Sequence, residues 1–96
     1  MLAEAAAAVV LSITPHVCQE PCRVEITIRA EAPSEKQRVC VGLESEGWYR
    51  SSCWPSRGEK THTTTIKNIP AGEYWVVASF GEHVARTQLV VIGEQQ

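Results

Sequence analysis

The fold is decided by the stretch Ile66-Lys67-Asn68-Ile69-Pro70-Ala71-Gly72-Glu73-Tyr74-Trp75-Val76-Val77-Ala78. It reads as the end of one strand, a tight turn and the start of a second strand. Pro70 fixes one backbone angle of the turn, and Gly72 supplies a conformation that other residues avoid. Tyr74 then points into a core, where its hydroxyl can bond to the backbone upstream. This is the tyrosine corner of Greek-key sandwiches, so the stretch predicts that architecture.

Strand-like segments recur along the rest of the chain. Residues 23–31 and 37–44 alternate between apolar and polar side chains, and this period of two is typical of half-buried strands. Turn signals separate the segments at about the 8–12-residue spacing of a β-sandwich, and no helix is predicted beyond an alanine run at the start. The predicted fold is an all-β Greek-key β-sandwich of about seven antiparallel strands. The predicted strands are 9–14, 23–31, 37–44, 48–54, 60–67, 74–80 and 83–92, with turns at 15–22, 32–35, 45–47, 55–59 and 81–82.

Length and composition favour one domain. The chain has 96 residues, and residues 9–92 are predicted to form the sandwich. Residues 1–8 lack the basic n-region of a signal peptide and are interrupted by Glu4, so they are predicted to be a disordered or linker start. Residues 93–96 are predicted to be a frayed tail.

The charge and hydropathy of the chain exclude several classes of partner. The formal net charge is −2, and no basic stripe is visible, so nucleic acid is not an expected partner. No span reaches the roughly 18 apolar residues of a transmembrane helix, so no membrane insertion is expected within this chain.

Four cysteines allow three disulfide pairings. We favour Cys18–Cys22 and Cys40–Cys53. The second bridge follows from a hairpin whose turn at 45–47 places Cys40 opposite Ser52, one residue from Cys53. Disulfides persist in oxidising compartments, so an extracytoplasmic location is predicted. The alternative is four free buried thiols in a cytosolic protein.

No catalytic or cofactor motif is visible. There is no Gly-x-Ser-x-Gly motif, and His16, His62 and His83 have no metal-ligand spacing. A zinc site made from all four cysteines is disfavoured, because Cys40 and Cys53 are too far apart for a zinc knuckle. The chain is therefore not expected to be an enzyme, to hold a metal or to carry a cofactor.

The aromatic residues suggest two alternative binding surfaces. If Tyr74 faces the core, its neighbour Trp75 faces outward, and so do several residues of the same hairpin. This possible binding face comprises Trp75, Val77, Val84, Arg86 and Val90, and it would bind another protein or a second copy of the chain. A possible aromatic platform for carbohydrate comprises Trp48, Tyr49 and Trp54. The competing structural explanation is that one tryptophan plugs the end of the sandwich and the others lie over arginine stems such as Arg50.

Two segments carry a resemblance to known modules. Residues 21–28, Pro-Cys-Arg-Val-Glu-Ile-Thr-Ile, resemble the second strand of bacterial immunoglobulin-like and fibronectin type III-like domains. Residues 69–76 resemble the turn before the sixth strand of such domains, and similar turns occur in prealbumin-like modules. The chain departs from the antibody pattern, since Val76 stands where a cysteine would follow Tyr74. Such modules usually bind partners, space other domains or strengthen surface proteins.

These observations predict a non-catalytic, extracytoplasmic, immunoglobulin-like module that acts in protein–protein interaction or as a structural spacer. The alternatives are a carbohydrate-binding module that uses the aromatic platform and an enzyme or metal protein that uses the cysteines and histidines.

Overall fold

The computed structural model describes residues 9–30 and 37–93, which form eight strands and no helix. The predicted start at 1–8, the turn at 32–35 and tail residues 94–96 lie outside the described residues. No helix of the described chain is long and apolar enough to cross a membrane. The strands are β1 (Val9–Thr14), β2 (Val17–Gln19), β3 (Cys22–Ala30), β4 (Arg38–Ser45), β5 (Trp48–Pro55), β6 (Thr61–Ile69), β7 (Gly72–Phe80) and β8 (His83–Ile92).

The strands form two sheets that pack face to face. One sheet has the order β1-β3-β6, and the other has the order β2-β8-β7-β4-β5. The chain crosses to the second sheet and back at β2, and it changes sheets again between β3 and β4, between β5 and β6 and between β6 and β7. As a result, β7 pairs with β8 and β4 but not with β6. This connectivity confirms the predicted all-β Greek-key sandwich.

One strand was not predicted: β2 lies inside the segment 15–22, which was expected to be a turn. Its three residues pair in parallel with β8, Val17 opposite Val90 and Gln19 opposite Ile92. Every other strand pair is antiparallel. A segment of three residues is too short to show the alternation that identifies a strand, and so the prediction was wrong here.

The core fills the space between the two sheets with the apolar faces that the alternation predicts. Val24, Ile26 and Ile28 of β3 are each 0% exposed, and Val39, Val41 and Leu43 of β4 are at most 1% exposed. Burial of this apolar surface is the main contribution to the stability of a domain of this size.

The corner that precedes β7 has the predicted geometry. The Tyr74 side chain is 4% exposed, and its hydroxyl donates to the Pro70 carbonyl oxygen at 2.5 Å. Gly72 has a φ of 153°, a conformation that side chains rarely permit. β7 begins at this glycine, two residues before the predicted strand start, and Tyr74 fixes which of its residues face inward.

The hairpin between β4 and β5 differs from the prediction by one position of register. Its turn is Glu46-Gly47, with Ser45 opposite Trp48, so Cys40 lies directly opposite Cys53 rather than opposite Ser52. A two-residue turn is the commonest connection in a hairpin.

Both predicted disulfides are present, and none of the four cysteines is free. The Cys40–Cys53 bridge joins two neighbouring strands of one sheet. The Cys18–Cys22 bridge joins the two sheets, because Cys18 lies on β2 and Cys22 lies on β3. It therefore ties the short strand β2 to the core.

Candidate interaction face

The outer surface of the five-stranded sheet holds all five residues of the predicted binding face. Its central pairs are Val77 with Arg86, Ser79 with Val84 and Glu73 with Val90. These residues point away from the core because Tyr74, Val76 and Ala78, which alternate with them, are buried. We call this surface the Trp75 face.

Large exposed hydrophobic side chains are concentrated on the Trp75 face. The described residues include seven of them: Val10, Val17, Tyr49, Trp75, Val84, Val90 and Ile92. All except Val10 lie on the Trp75 face. Strand pairing places Val17, Tyr49 and Val84 on the same side of the sheet as Trp75. Val90 and Ile92 point outward because Val91, which lies between them on β8, is buried. The exposed fraction is 44% for Trp75 and 64% for Tyr49. Exposed apolar side chains that are grouped on one surface mark an interaction site more often than scattered ones do.

The outer surface of the three-stranded sheet has the opposite character. There the cross-strand pairs between β3 and β6 are polar: Glu25 with Thr65, Thr27 with Thr63 and Arg29 with Thr61. The apolar character of the Trp75 face is therefore a property of one sheet and not of the whole surface.

Two members of the face were missed by the sequence analysis of this surface. Val17 lies on β2, which was predicted to be a turn, so its pairing with Val90 could not be foreseen. Tyr49 was assigned to the aromatic platform, but it lies opposite Glu44, which in turn lies opposite Trp75. Tyr49 directly follows Trp48 on a strand, and neighbouring strand residues point to opposite sides of the sheet. This alternation could have separated Tyr49 from Trp48 at the sequence level.

Gly42 shapes the face beneath the Tyr49 ring. Gly42 is buried although it lies on the outer side of β4, and it pairs with Val77 of β7. A Cβ atom at Gly42 would stand 3.5 Å from the Tyr49 ring and hydroxyl. The ring thus lies over the glycine and extends the apolar surface from Val77 toward β5.

The charges of the Trp75 face are separated along the strands. Glu44, Glu46 and Glu73 line a hollow of about 270 Å³ beside Trp75. Arg86 lies one pair farther along the sheet, opposite Val77, and Arg38 lies at the far end of β4. In the described part of the chain, none of these five groups takes part in an ion pair. The acidic groups are therefore clustered beside Trp75, while the far end of the face carries both Arg38 and the exposed Glu82 of the β7–β8 turn.

The predicted aromatic platform is not formed. Trp48 and Trp54 lie on the inner side of β5, while Tyr49 lies on the outer side, because neighbouring strand residues alternate. The Trp48 ring contacts Tyr74 edge to face, with centroids 5.2 Å apart, and the Arg50 guanidinium lies 5.0 Å above it. Trp48 and Trp54 are also six residues apart, roughly 20 Å in an extended strand. Because Tyr49 lies on the opposite side of the sheet from both tryptophans, the three rings do not form one platform.

Trp54 and His62 form an interior polar contact at the other end of β5. The Trp54 indole N–H donates to His62 Nδ1 at 3.3 Å, and the imidazole ring packs against Phe80. His62 is 8% exposed, and its Nε2 has no hydrogen-bond partner in the structure. These contacts give His62 a place in the core, and no other histidine of the described chain joins it.

The structure also bears on the metal site that the sequence analysis considered, and it contains a groove that was not predicted. Among the described residues, no three His, Cys, Asp or Glu side chains lie close enough together to hold a metal ion. A groove of about 390 Å³ runs between the free edges of β5 and β6, with Val41 and Ile66 among its lining residues. Arg50 spans this groove and donates to the Lys67 carbonyl oxygen at 2.8 Å.

Known proteins add no identification. Comparison of the chain with protein-family models, with curated proteins and with solved structures finds no match. The functional interpretation therefore depends on the geometry of the Trp75 face.

Proposed function

We propose that this chain is a non-catalytic, extracytoplasmic, immunoglobulin-like module that binds another protein through the Trp75 face. One observation carries the proposal. Six of the seven large exposed hydrophobic side chains of the described residues lie on this one surface. Exposed apolar surface costs solubility, and binding a partner is the commonest reason for a folded domain to keep it.

The composition of the face supports a protein partner. Trp and Tyr are enriched among the residues that contribute most to protein–protein binding, and here Trp75 and Tyr49 lie on the same side of one sheet, with Glu44 between them. Val77 follows Trp75 on the same side of β7 and adds an apolar side chain beside it. Charged side chains such as Glu46, Glu73 and Arg38 lie toward the ends of the face, where a polar rim is expected in such interfaces.

The strand arrangement supports the immunoglobulin-like part of the proposal. In immunoglobulin-type sandwiches the third, sixth and seventh lettered strands lie together in one sheet, and the first, second and fifth lie in the other. β4, β7 and β8 are neighbours in the same way, and so are β1, β3 and β6. The tyrosine corner at the start of β7 occupies the corresponding place before the sixth lettered strand.

The two disulfides support an extracytoplasmic location. Both are consistent with an oxidising compartment, since cytosolic reductants keep most thiols reduced.

A module that only spaces other domains would share this fold and these bridges, but it would have no use for an apolar outer face.

Photocrosslinking tests the proposal. We would place p-benzoylphenylalanine at position 77 on the Trp75 face, and at position 63 on the outer side of the other sheet as the control. In an extracytoplasmic extract of the source organism, the position-77 protein is expected to form a discrete adduct that the position-63 protein lacks. The adduct is identified by mass spectrometry and its binding is remeasured with the purified partner and the Trp75→Ser variant. Absence of an adduct at position 77, or equal labelling from both positions, would refute the proposal.

A further inference from the structure

We infer that the groove between β5 and β6 binds an extended, acidic segment of another protein, which pairs with the free edge of β6 as a further strand of the smaller sheet. The groove is a different surface from the Trp75 face, so the inference goes beyond the proposed function. Three features carry it: an uncovered inner side of β5, a row of outward-directed backbone groups on β6, and a cationic lining.

The smaller sheet leaves the inner side of β5 uncovered. Arg50 and Ser52 lie opposite buried residues of β4, so their side chains point to the inner side of the sheet, yet both residues are exposed. The other side of the sandwich is closed, because β1 packs beside β8 and the Cys18–Cys22 bridge joins the two sheets there. Among the described strands, none lies beside β6 to cover β5.

The free edge of β6 presents a regular row of backbone groups. The Ala30 N–H donates to the Lys60 carbonyl oxygen at 2.7 Å, and this pair continues the antiparallel register of β3 and β6. Opposed residues alternate between bonded and non-bonded pairs, so Thr61, Thr63 and Thr65 direct their N–H and C=O groups away from β3. A partner with an extended main chain satisfies such a row, since its own groups repeat at the same spacing.

The groove beside this edge has room for side chains of the added strand. Its volume is about 390 Å³, and Val41 and Ile66 give it an apolar floor. Trp54 contacts His62 near the start of β6, where the groove ends. The segment therefore pairs with β6 from Thr63 onward and places apolar side chains over the floor.

The charges of the groove favour an acidic segment. Arg50 and Lys67 line it, and none of its described lining residues is a carboxylate. Neither cation forms an ion pair with another described residue. The carboxylate of Glu59 lies in the neighbouring hollow beside Trp54, where it accepts a hydrogen bond from the Arg57 main-chain N–H.

Arg50 disfavours any segment that lacks a carboxylate. Its side chain crosses the groove to the Lys67 carbonyl oxygen at 2.8 Å and lies over the Trp48 ring. A strand in the groove displaces the contact with Lys67 and covers the guanidinium group, which is unfavourable for a charge without a partner. A glutamate or aspartate of the segment replaces the lost acceptor with a charged one. An inward-pointing charge also keeps other strands from a free edge, so Arg50 makes the edge selective.

Selection of phage-displayed random peptides of nine residues, the length of β6, on the folded full chain tests the inference. Enriched peptides are expected to combine alternating apolar residues with an acidic residue. The enriched sequence is then synthesised as a fluorescent probe. Methylation of one main-chain nitrogen at a time should weaken binding roughly tenfold at alternate positions and little at the positions between, because every second N–H of an added strand faces β6.

Two proline variants identify the strand that pairs with the probe. Thr63→Pro removes an N–H that faces the free edge and takes no part in the β3–β6 ladder, so the folded variant should lose probe binding. Ser51→Pro makes the same change on β5, whose bonded pairs follow from the Ser56 N–H donating to the Gln37 carbonyl oxygen, and it should leave the dissociation constant unchanged. Thermal melts followed by circular dichroism establish folding, and the methylation pattern decides the question if a proline variant does not fold.

Arg50→Gln tests the selectivity for a carboxylate, and Arg86→Gln on the Trp75 face is the matched control. The wild type and Arg86→Gln should bind the acidic probe roughly tenfold more tightly than a probe in which the acidic residue is replaced by its amide. Arg50→Gln should bind both probes equally.

The other outcomes overturn the inference in distinguishable ways. No enriched sequence, or enriched peptides without an acidic residue, overturns the acidic segment as the occupant. An even methylation pattern overturns strand addition, and a probe that Ser51→Pro abolishes but Thr63→Pro does not overturns the assignment to β6. Sedimentation of the wild type as a dimer that Thr63→Pro dissociates identifies the occupant as a second copy and overturns the partner named here. None of these results alters crosslinking at position 77, so the proposed function is tested separately.

Discussion

Removal of the Tyr74 hydroxyl tests the corner on which the phase of β7 depends. In Tyr74→Phe, the donor to the Pro70 carbonyl oxygen is lost while the ring stays in place. The ring contact with Trp48, at 5.2 Å between centroids, does not involve the hydroxyl and should persist. The expected loss is the net value of one hydrogen bond, about 1 kcal/mol. The loss is not larger, because Pro70 is exposed and water can reach its carbonyl group.

Urea denaturation provides the assay, and Tyr49→Phe provides the matched control. The Tyr49 side chain is 64% exposed, so loss of its hydroxyl should change the free energy of unfolding by less than about 0.5 kcal/mol. For Tyr74→Phe we expect a lower midpoint at an unchanged m-value, together with a melting temperature lower by roughly 4–8 °C. If both variants are equally stable, the bond from the Tyr74 hydroxyl to Pro70 does not stabilise the corner.

Two further predictions concern the alkaline limit and the disulfides. Burial raises the pKa of the Tyr74 hydroxyl above its usual value of 10.0. The unfolded chain therefore releases this proton at a lower pH than the folded chain does, and deprotonation favours unfolding. As a result, the stability advantage of the wild type over Tyr74→Phe should shrink in urea titrations above pH 10. An advantage that stays constant from pH 8 to pH 11 would contradict this. Replacing Cys40 and Cys53 together with alanine opens a loop with a sequence separation of 13 and should cost about 3 kcal/mol, whereas replacing Cys18 and Cys22 opens one with a separation of 4 and should cost about 2 kcal/mol. Urea midpoints of the two double variants, measured with the remaining bridge intact, check this order, and the reverse order would show that loop entropy is not the main contribution.

The strands that could be predicted are those in which local pattern and tertiary packing agree. In β3, three aliphatic residues at alternate positions specify a buried face, and the structure buries them completely. The corner could be predicted equally well, because Pro70 fixes one backbone angle and Gly72 permits a conformation that few other residues adopt. β2 could not be predicted, since its pairing with β8 depends on contacts between residues more than 70 positions apart.

The Trp75 face was predicted in part for the same reason. Strand alternation extends from Tyr74 to Trp75 and Val77, so the outward direction of these side chains follows from local pattern. The contributions of Val17 and Tyr49 depend on which strands lie beside β7 and β8, and no local pattern encodes that order. The predicted register of the β4–β5 hairpin differed from the structure by one residue, because the sequence around Glu46-Gly47 is compatible with a turn of either two or three residues.

Tyr74 and Trp75 are neighbours in the chain with separable consequences. Tyr74 is buried in the core and Trp75 is exposed on the face, and each contacts residues that the other does not. Tyr74→Phe should therefore lower the free energy of unfolding and leave binding through the Trp75 face unchanged, because the ring still orients the strand. Trp75→Ser should weaken association through the Trp75 face, which Tyr74→Phe leaves intact. If Tyr74→Phe weakened association as much as Trp75→Ser does, the hydroxyl would hold the outer face in shape, and the corner would belong to the binding site.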